Sequence, residues 1–195
     1  MLASQFRDAL HDAFNLAHLS RADHAGTVGY GVIHLYEGDP VEGTKAIVPF
    51  GNLITDAGDL YIAGKIIAAI SPAAPAAPTA ANGMKLGTGT TAVTKAGVAA
   101  ALVTYLTASN VVFDASFPAT VNLGAGLGVN SQYKTTWAAG VATNAAITEV
   151  AIVNDQATNA TTTAANTYSR AVFTAVAKGA ADSLAITYNY KVLGA

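Results

Sequence analysis

The chain contains no cysteine among its 195 residues. Disulfides and thiolate metal centres are therefore excluded, and cysteine usage leaves the redox compartment open. Charge is scarce as well: Asp, Glu, Lys and Arg make up 11% of the chain, against roughly 25% in an average soluble domain. That is a thin coat for a free monomer, and it implies that part of the surface is covered by other subunits. The ten Lys and Arg residues are scattered and the net charge is −2, so there is no basic stripe for nucleic acid or an anionic membrane. No apolar run reaches the roughly 18 residues of a membrane span. Residues 1–16 are interrupted by Arg7, Asp8, His11 and Asp12 and lack the apolar centre of a secretory signal. Synthesis in the cytoplasm, followed by entry into an assembly, is the expectation.

What the chain does have is apolar residues, 52% of the total, many of them Ala, with abundant Thr. Small side chains of this kind suit flat packed sheets and subunit contacts and add little driving force per residue. The length accommodates one sheet-built core of ordinary size plus an appendage. The expected fold is mainly β, an antiparallel β-sandwich of jelly-roll type with an N-terminal helical arm (residues 1–26), a sandwich domain (residues 27–195) and one or two short helices.

The arm is expected because Leu2, Phe6, Leu10, Phe14 and Ala17 recur at near-helical spacing, giving a narrow apolar stripe. A lone helix of this length is marginal in water, so the stripe must lean on its own sheet or, as the preferred reading, on a neighbouring subunit. Strands are predicted over residues 27–37 and 44–50, separated by Gly38-Asp39-Pro40. Thr55 is the expected N-cap of a helix reaching Ile70. The stretch 71–82 is a Pro/Ala tract that excludes helix and internal strand. Met84 to Gly87 resumes as a strand, a brief helix is expected over 96–106, and residues 110–117 look strand-like. The glycine-rich stretch 122–130 reads as a loop. Four strands follow, over 132–142, 147–154, 168–176 and 183–193. In the last of these, Leu184, Ile186, Tyr188, Tyr190 and Val192 alternate with Ala185, Thr187, Asn189 and Lys191, as in a sheet with one buried face.

Candidate chemistry is thin. Gly87-Thr-Gly-Thr-Thr invites a phosphate-loop reading, but the lysine of such loops and the parallel βαβ setting are missing, which favours a strand-end turn. His11, His18, His24 and His34 cluster in the first 34 residues. Yet His11 and His18 are two helical turns apart, roughly 10 Å, too far to chelate one ion. Asp56 and Asp59 open a helix, where acidic residues favour the dipole, and Glu149 stands alone in an apolar strand. No Gly-x-Ser-x-Gly elbow occurs. No cofactor, metal or catalytic set is expected, and the chain is read as a non-enzyme. Trp137 with Tyr133 is the one combination that would suit a sugar-binding surface, a reading from another functional class.

The order of certain motifs carries a resemblance. Asn52-Leu-Ile-Thr-Asp-Ala-Gly with Tyr61-Ile-Ala is followed by Met84-Lys-Leu-Gly-Thr-Gly-Thr-Thr and then by Ile147-Thr-Glu-Val-Ala-Ile-Val-Asn. Ser169-Arg-Ala-Val-Phe, Lys178 and a closing Leu184-Ala-Ile-Thr-Tyr strand complete the series. This succession, spanning about Gly51 to Val192, resembles a family of tailed-bacteriophage virion structural proteins. It departs from the family after Gly-Thr-Gly, where Ala92-Val-Thr-Lys replaces an acidic residue, and the N-terminal fifth has no counterpart. The resemblance implies a β-sandwich used as a capsid decoration (cement) protein or a tail component, commonly trimeric. Its partners would be its own copies and the major capsid protein, and its location the capsid surface.

Of the virion positions, capsid decoration is preferred, with Leu2, Phe6, Leu10 and Phe14 as the arm's contact residues. The alternative is a tail-fibre, baseplate or collar module, which would want aromatics in the 72–82 and 122–130 loops, where none occurs. Glu149 and Arg170 fall on strands that could be neighbours. A buried ion pair between them would account for both, since either one alone inside a sheet costs several kcal/mol.

Overall fold

The computed structural model describes residues 29–40, 43–66, 81–122 and 129–192. The expected arm, with Leu2, Phe6, Leu10 and Phe14, lies outside the described residues, as do most of the Pro/Ala tract and residues 123–128.

Where β-branched and aromatic residues alternate, strands form. Among the described residues there are nine, β1 (Gly29–Glu37), β2 (Thr44–Ile54), β3 (Gly83–Gly87), β4 (Val111–Val112), β5 (Ala119–Asn122), β6 (Val129–Trp137), β7 (Asn144–Val153), β8 (Thr167–Lys178) and β9 (Asp182–Val192). Among the described residues one α-helix, α1 (Asp56–Ile66), follows β2. The strands join in the order β4-β3-β7-β8-β2-β1-β9-β6-β5, every pair antiparallel.

The mainly β, antiparallel expectation is met, but the sheet is continuous and curls into a half-barrel where two separate sheets were expected. The reason is the length of β2. Its residues 44–52 pair with β1, and Leu53 and Ile54 run on to pair with Arg170 and Ser169 of β8. That strand carries the ladder from one wall, β2-β1-β9-β6-β5, into the other, β4-β3-β7-β8-β2.

The walls face one another across a core containing Ile33, Phe50, Leu86, Trp137, Ile152, Phe173 and Ile186. Burying a side chain of this size contributes on the order of 1.5–3 kcal/mol. Phe50 packs on Phe173 and Tyr188 at ring-centroid distances of 5.5 and 5.0 Å, so β2, β8 and β9 meet through aromatic faces. A smaller cluster of Leu102, Ala151 and Val153 lies on the outward side of the second wall.

Two local expectations are corrected. Residues 96–106 form no α-helix: only a 3-10 turn at Val98–Ala100 appears. Residues 110–117 pair as a strand over Val111–Val112 alone, because the chain there transfers between walls. The Phe113 N–H donates to Asn82 O, and the next N–H, of Asp114, donates to Lys134 O on β6. A short strand that the sequence does not announce, β5, then pairs with β6.

Candidate functional site: a buried carboxylate–guanidinium hub

The register puts Gly87 opposite Glu149, Glu149 opposite Val172, and Ala151 opposite Arg170. Cross-strand partners share a face, so Glu149 and Arg170 both stand on the outward side of the second wall, beneath the loop of residues 88–104. Both side chains are 0% exposed, and Arg170 Nη2 lies 2.6 Å from Glu149 Oε2. Arg170 Nε donates to the same oxygen at 2.8 Å.

The remaining valences go to the loop. Glu149 Oε1 accepts from the N–H groups of Gly89 (3.0 Å) and Thr104 (2.8 Å), and Oε2 accepts from Val103 N–H at 3.2 Å. Arg170 donates through Nη1 to Ala99 O (2.8 Å) and through Nη2 to Thr91 O (3.1 Å). A buried pair offsets its desolvation only when its other hydrogen-bonding positions are filled; here they are filled by both ends of one loop.

The Gly-Thr-Gly motif is explained by the same hub. A Cβ on Gly89 would lie 2.6 Å from Glu149 Oε1, and one on Gly87 would lie 2.5 Å from that oxygen and 2.4 Å from Thr104 O. Glycine is needed at both for close approach. The glycine-rich loop does present an N–H to an anion, as phosphate loops do, but the anion is the chain's own carboxylate. Thr148 Oγ1 fastens the same turn by donating to Gly89 O at 2.8 Å.

The first motif of the series reaches this place from β2. Thr55 caps α1: its Oγ1 accepts from Gly58 N–H at 3.2 Å and donates to Thr167 O at 2.5 Å. Ser169 Oγ donates to Leu53 O (3.1 Å), and Asn52 Nδ2 donates to Ser169 Oγ (2.5 Å). Asn52-Leu-Ile-Thr, Gly-Thr-Gly, Thr148-Glu149 and Ser169-Arg170, far apart in sequence, thus converge around the β2, β7 and β8 junction.

Two lysines that fall in the motif series but were given no role from sequence serve similarly. Lys85 is fully buried, donates to Ala160 O at 3.0 Å and sits 3.3 Å from Asp155 Oδ1. Lys178 donates to Ala138 O at 3.0 Å, and burial lowers its pKa against the opposing pull of Asp182. The available signal was position: each lies in or at the end of an otherwise apolar strand.

Other candidates lie apart. Trp137 is buried and donates to Ser109 O at 2.7 Å, with Tyr133 also buried, so the pair offers no stacking surface. Asp59 is ion-paired with Lys95. His34 stacks on Tyr36 at 5.9 Å, its pKa lowered by burial and then by Lys134; His11, His18 and His24 lie outside the described residues. Among the described residues, no three of His, Asp and Glu gather into a metal-ligating group. Comparison with protein-family models, with curated proteins and with solved structures gives no match.

Proposed function

We propose that this protein is a structural subunit of a tailed-phage virion, a capsid decoration protein that binds the outside of the shell as a homotrimer and links neighbouring capsomers. Its two walls would act as the layers of a jelly-roll-like sandwich. The observation that carries this reading is the convergence of three of the resembling motifs, Gly-Thr-Gly, Thr148-Glu149 and Ser169-Arg170, on the Glu149–Arg170 hub. Their ionic groups are consumed in fastening a loop to a sheet, which is a structural use. The loop so held displays Val98 at 82% exposure, and Val112 and Val121 stand exposed on the edge strands β4 and β5. These apolar points, on a chain with 11% charged residues, suit contact with other subunits.

The mechanism is mass action. A protein that binds only the assembled shell stabilises it by its binding free energy, and three linked copies multiply that through effective concentration. The test is co-sedimentation of the purified full-length chain with empty capsids and, separately, with tails. Pelleting with capsids and release of fewer capsomers on heating are expected. Pelleting with tails alone would establish the tail-fibre, baseplate or collar reading, and binding to neither would remove the virion assignment.

A further inference from the structure

Five large apolar side chains stand exposed among the described residues, and all are valines: Val98, Val103, Val112, Val121 and Val129. Val98 is the extreme, at 82%, and it sits at the tip of the loop that the hub fastens. Its backbone is pinned from several sides. Thr94 N–H donates to Ala99 O (3.3 Å), Thr94 Oγ1 to Ala96 O (2.8 Å) and Ala101 N–H to Val98 O (3.2 Å). From below, Arg170 Nη1 donates to Ala99 O, and Asp56 N–H at the start of α1 donates to Lys95 O at 2.9 Å. Ala100, two residues past the tip, is fully buried. A lone exposed valine is ordinary; this one is a stiff β-branched side chain on a fixed backbone, which gives up little freedom when it docks.

We infer that Val98 docks beside Val121 on the β5 edge of a second copy, so that the trimer of the proposed function, on which this inference rests, is built head to tail. A protruding tip buries little against an identical tip, so its receptor lies elsewhere on the copy it meets. β5 supplies a flat one. It ends the strand order, with β6 on one side and no described strand on the other. Exposed edge strands are commonly guarded by charge, proline or a bulge, whereas β5 has only Ala, Thr, Val and Asn and an unbroken register with β6. Val121 on it is 41% exposed. The opposite edge, β4, is only two residues long. Charge fits as well. Residues 88–104 hold one charged side chain, Lys95, which is ion-paired with Asp59, and β5 holds none, so the contact strips water from no unpaired ion. Joining two different patches is a heterologous contact, the kind that closes into a ring.

A charge swap in the full-length chain, followed by sedimentation equilibrium, tests the contact. Val98→Asp and Val121→Lys, both at exposed positions, should each raise the concentration at which the trimer is half formed by at least about tenfold. The double variant should return to within about threefold of the parent, because the introduced carboxylate of one copy then faces the introduced ammonium of the next. Rescue within one chain is the signature of head-to-tail packing, since in a two-fold contact each position meets its own counterpart and like charges add. A parent trimer that Val98→Asp leaves unmoved, or a double variant as weak as the weaker single one, overturns the inference and leaves the trimer standing; a parent that stays monomeric removes both. Because the chain has no cysteine, oxidised Val98→Cys with Val121→Cys gives a check independent of charge. Cross-linking that stops at the trimer supports the inference. A disulfide-linked dimer from either single variant, or no cross-link in the double one, contradicts it.

Discussion

At the scale of single residues, Glu149 is distinguished from an ordinary ion-pair partner by its three backbone donors. Replacing it with Gln leaves the Arg170 guanidinium buried without a counter-charge, which costs about 3–5 kcal/mol. An apolar pair often restores the stability lost when an isolated ion pair is broken. Here the double variant Glu149→Leu with Arg170→Met should remain destabilised by at least about 2 kcal/mol, since Gly89, Val103 and Thr104 N–H lose their acceptor. Urea denaturation decides it, and a double variant as stable as the parent would reduce the hub to a simple pair. Gly87→Ala should likewise destabilise strongly, by its clash with Thr104 O, whereas Gly51→Ala, with nothing within 4 Å of its Cβ, should be near neutral.

Asp182 is pulled below the ordinary carboxylate range, first by its hydrogen bond from Lys45 and then by Gly179 N–H. A depressed folded pKa gives a contribution that is complete above the unfolded value, near ~3.9. It is lost as pH falls through the lower folded value. The stability difference between the parent and Asp182→Asn should therefore be constant at neutral pH and shrink only in acid. A difference that disappears at neutral pH instead would exclude this role.

At the scale of elements, alternation was legible wherever one face met the core. Residues 183–193 show it plainly, and β9 spans Asp182–Val192. The Thr55 cap was legible from residue type, and Thr55→Ala should lower stability by about 1–2 kcal/mol, with Thr55→Ser recovering most of it; equal loss in both would show that the hydroxyl is not what matters. The 96–106 stretch was misread as helical because its composition is Ala-rich while its backbone is claimed elsewhere. Ala99 O accepts from Arg170, and Val103 and Thr104 N–H donate to Glu149, groups that an α-helix would have used internally. Such tertiary capture leaves no local periodicity. The same holds for β5, whose four residues have pairing with β6 as their only signature. Glu149 and Arg170 could be suspected as partners because each was an isolated charge in an apolar strand, but their loop contacts depend on a fold that brings residues 88–104 back over β7.

At the scale of the whole molecule, the core is unusually rich in tyrosine. Tyr133, Tyr168 and Tyr190 pack as tilted ring pairs with centroids 5.8 and 6.1 Å apart, and burial raises each hydroxyl, Tyr133 to about 12. A folded pKa above the unfolded value of about 10 gives stability that is complete below that value and is lost as pH rises through the folded one. Tyr133→Phe should move the midpoint of alkaline unfolding upward, followed by tyrosinate absorbance; an unchanged midpoint would show that Tyr133 does not limit alkaline stability.

The chain's thin charge and exposed edge valines bear on assembly. Sedimentation equilibrium of the full-length protein, across a range of concentrations at moderate salt, measures this most directly. A trimer of the 19.6 kDa chain is expected, with Val121→Lys shifting it toward smaller species. A monomer at every concentration would contradict the view that this surface exists to be covered by copies of itself.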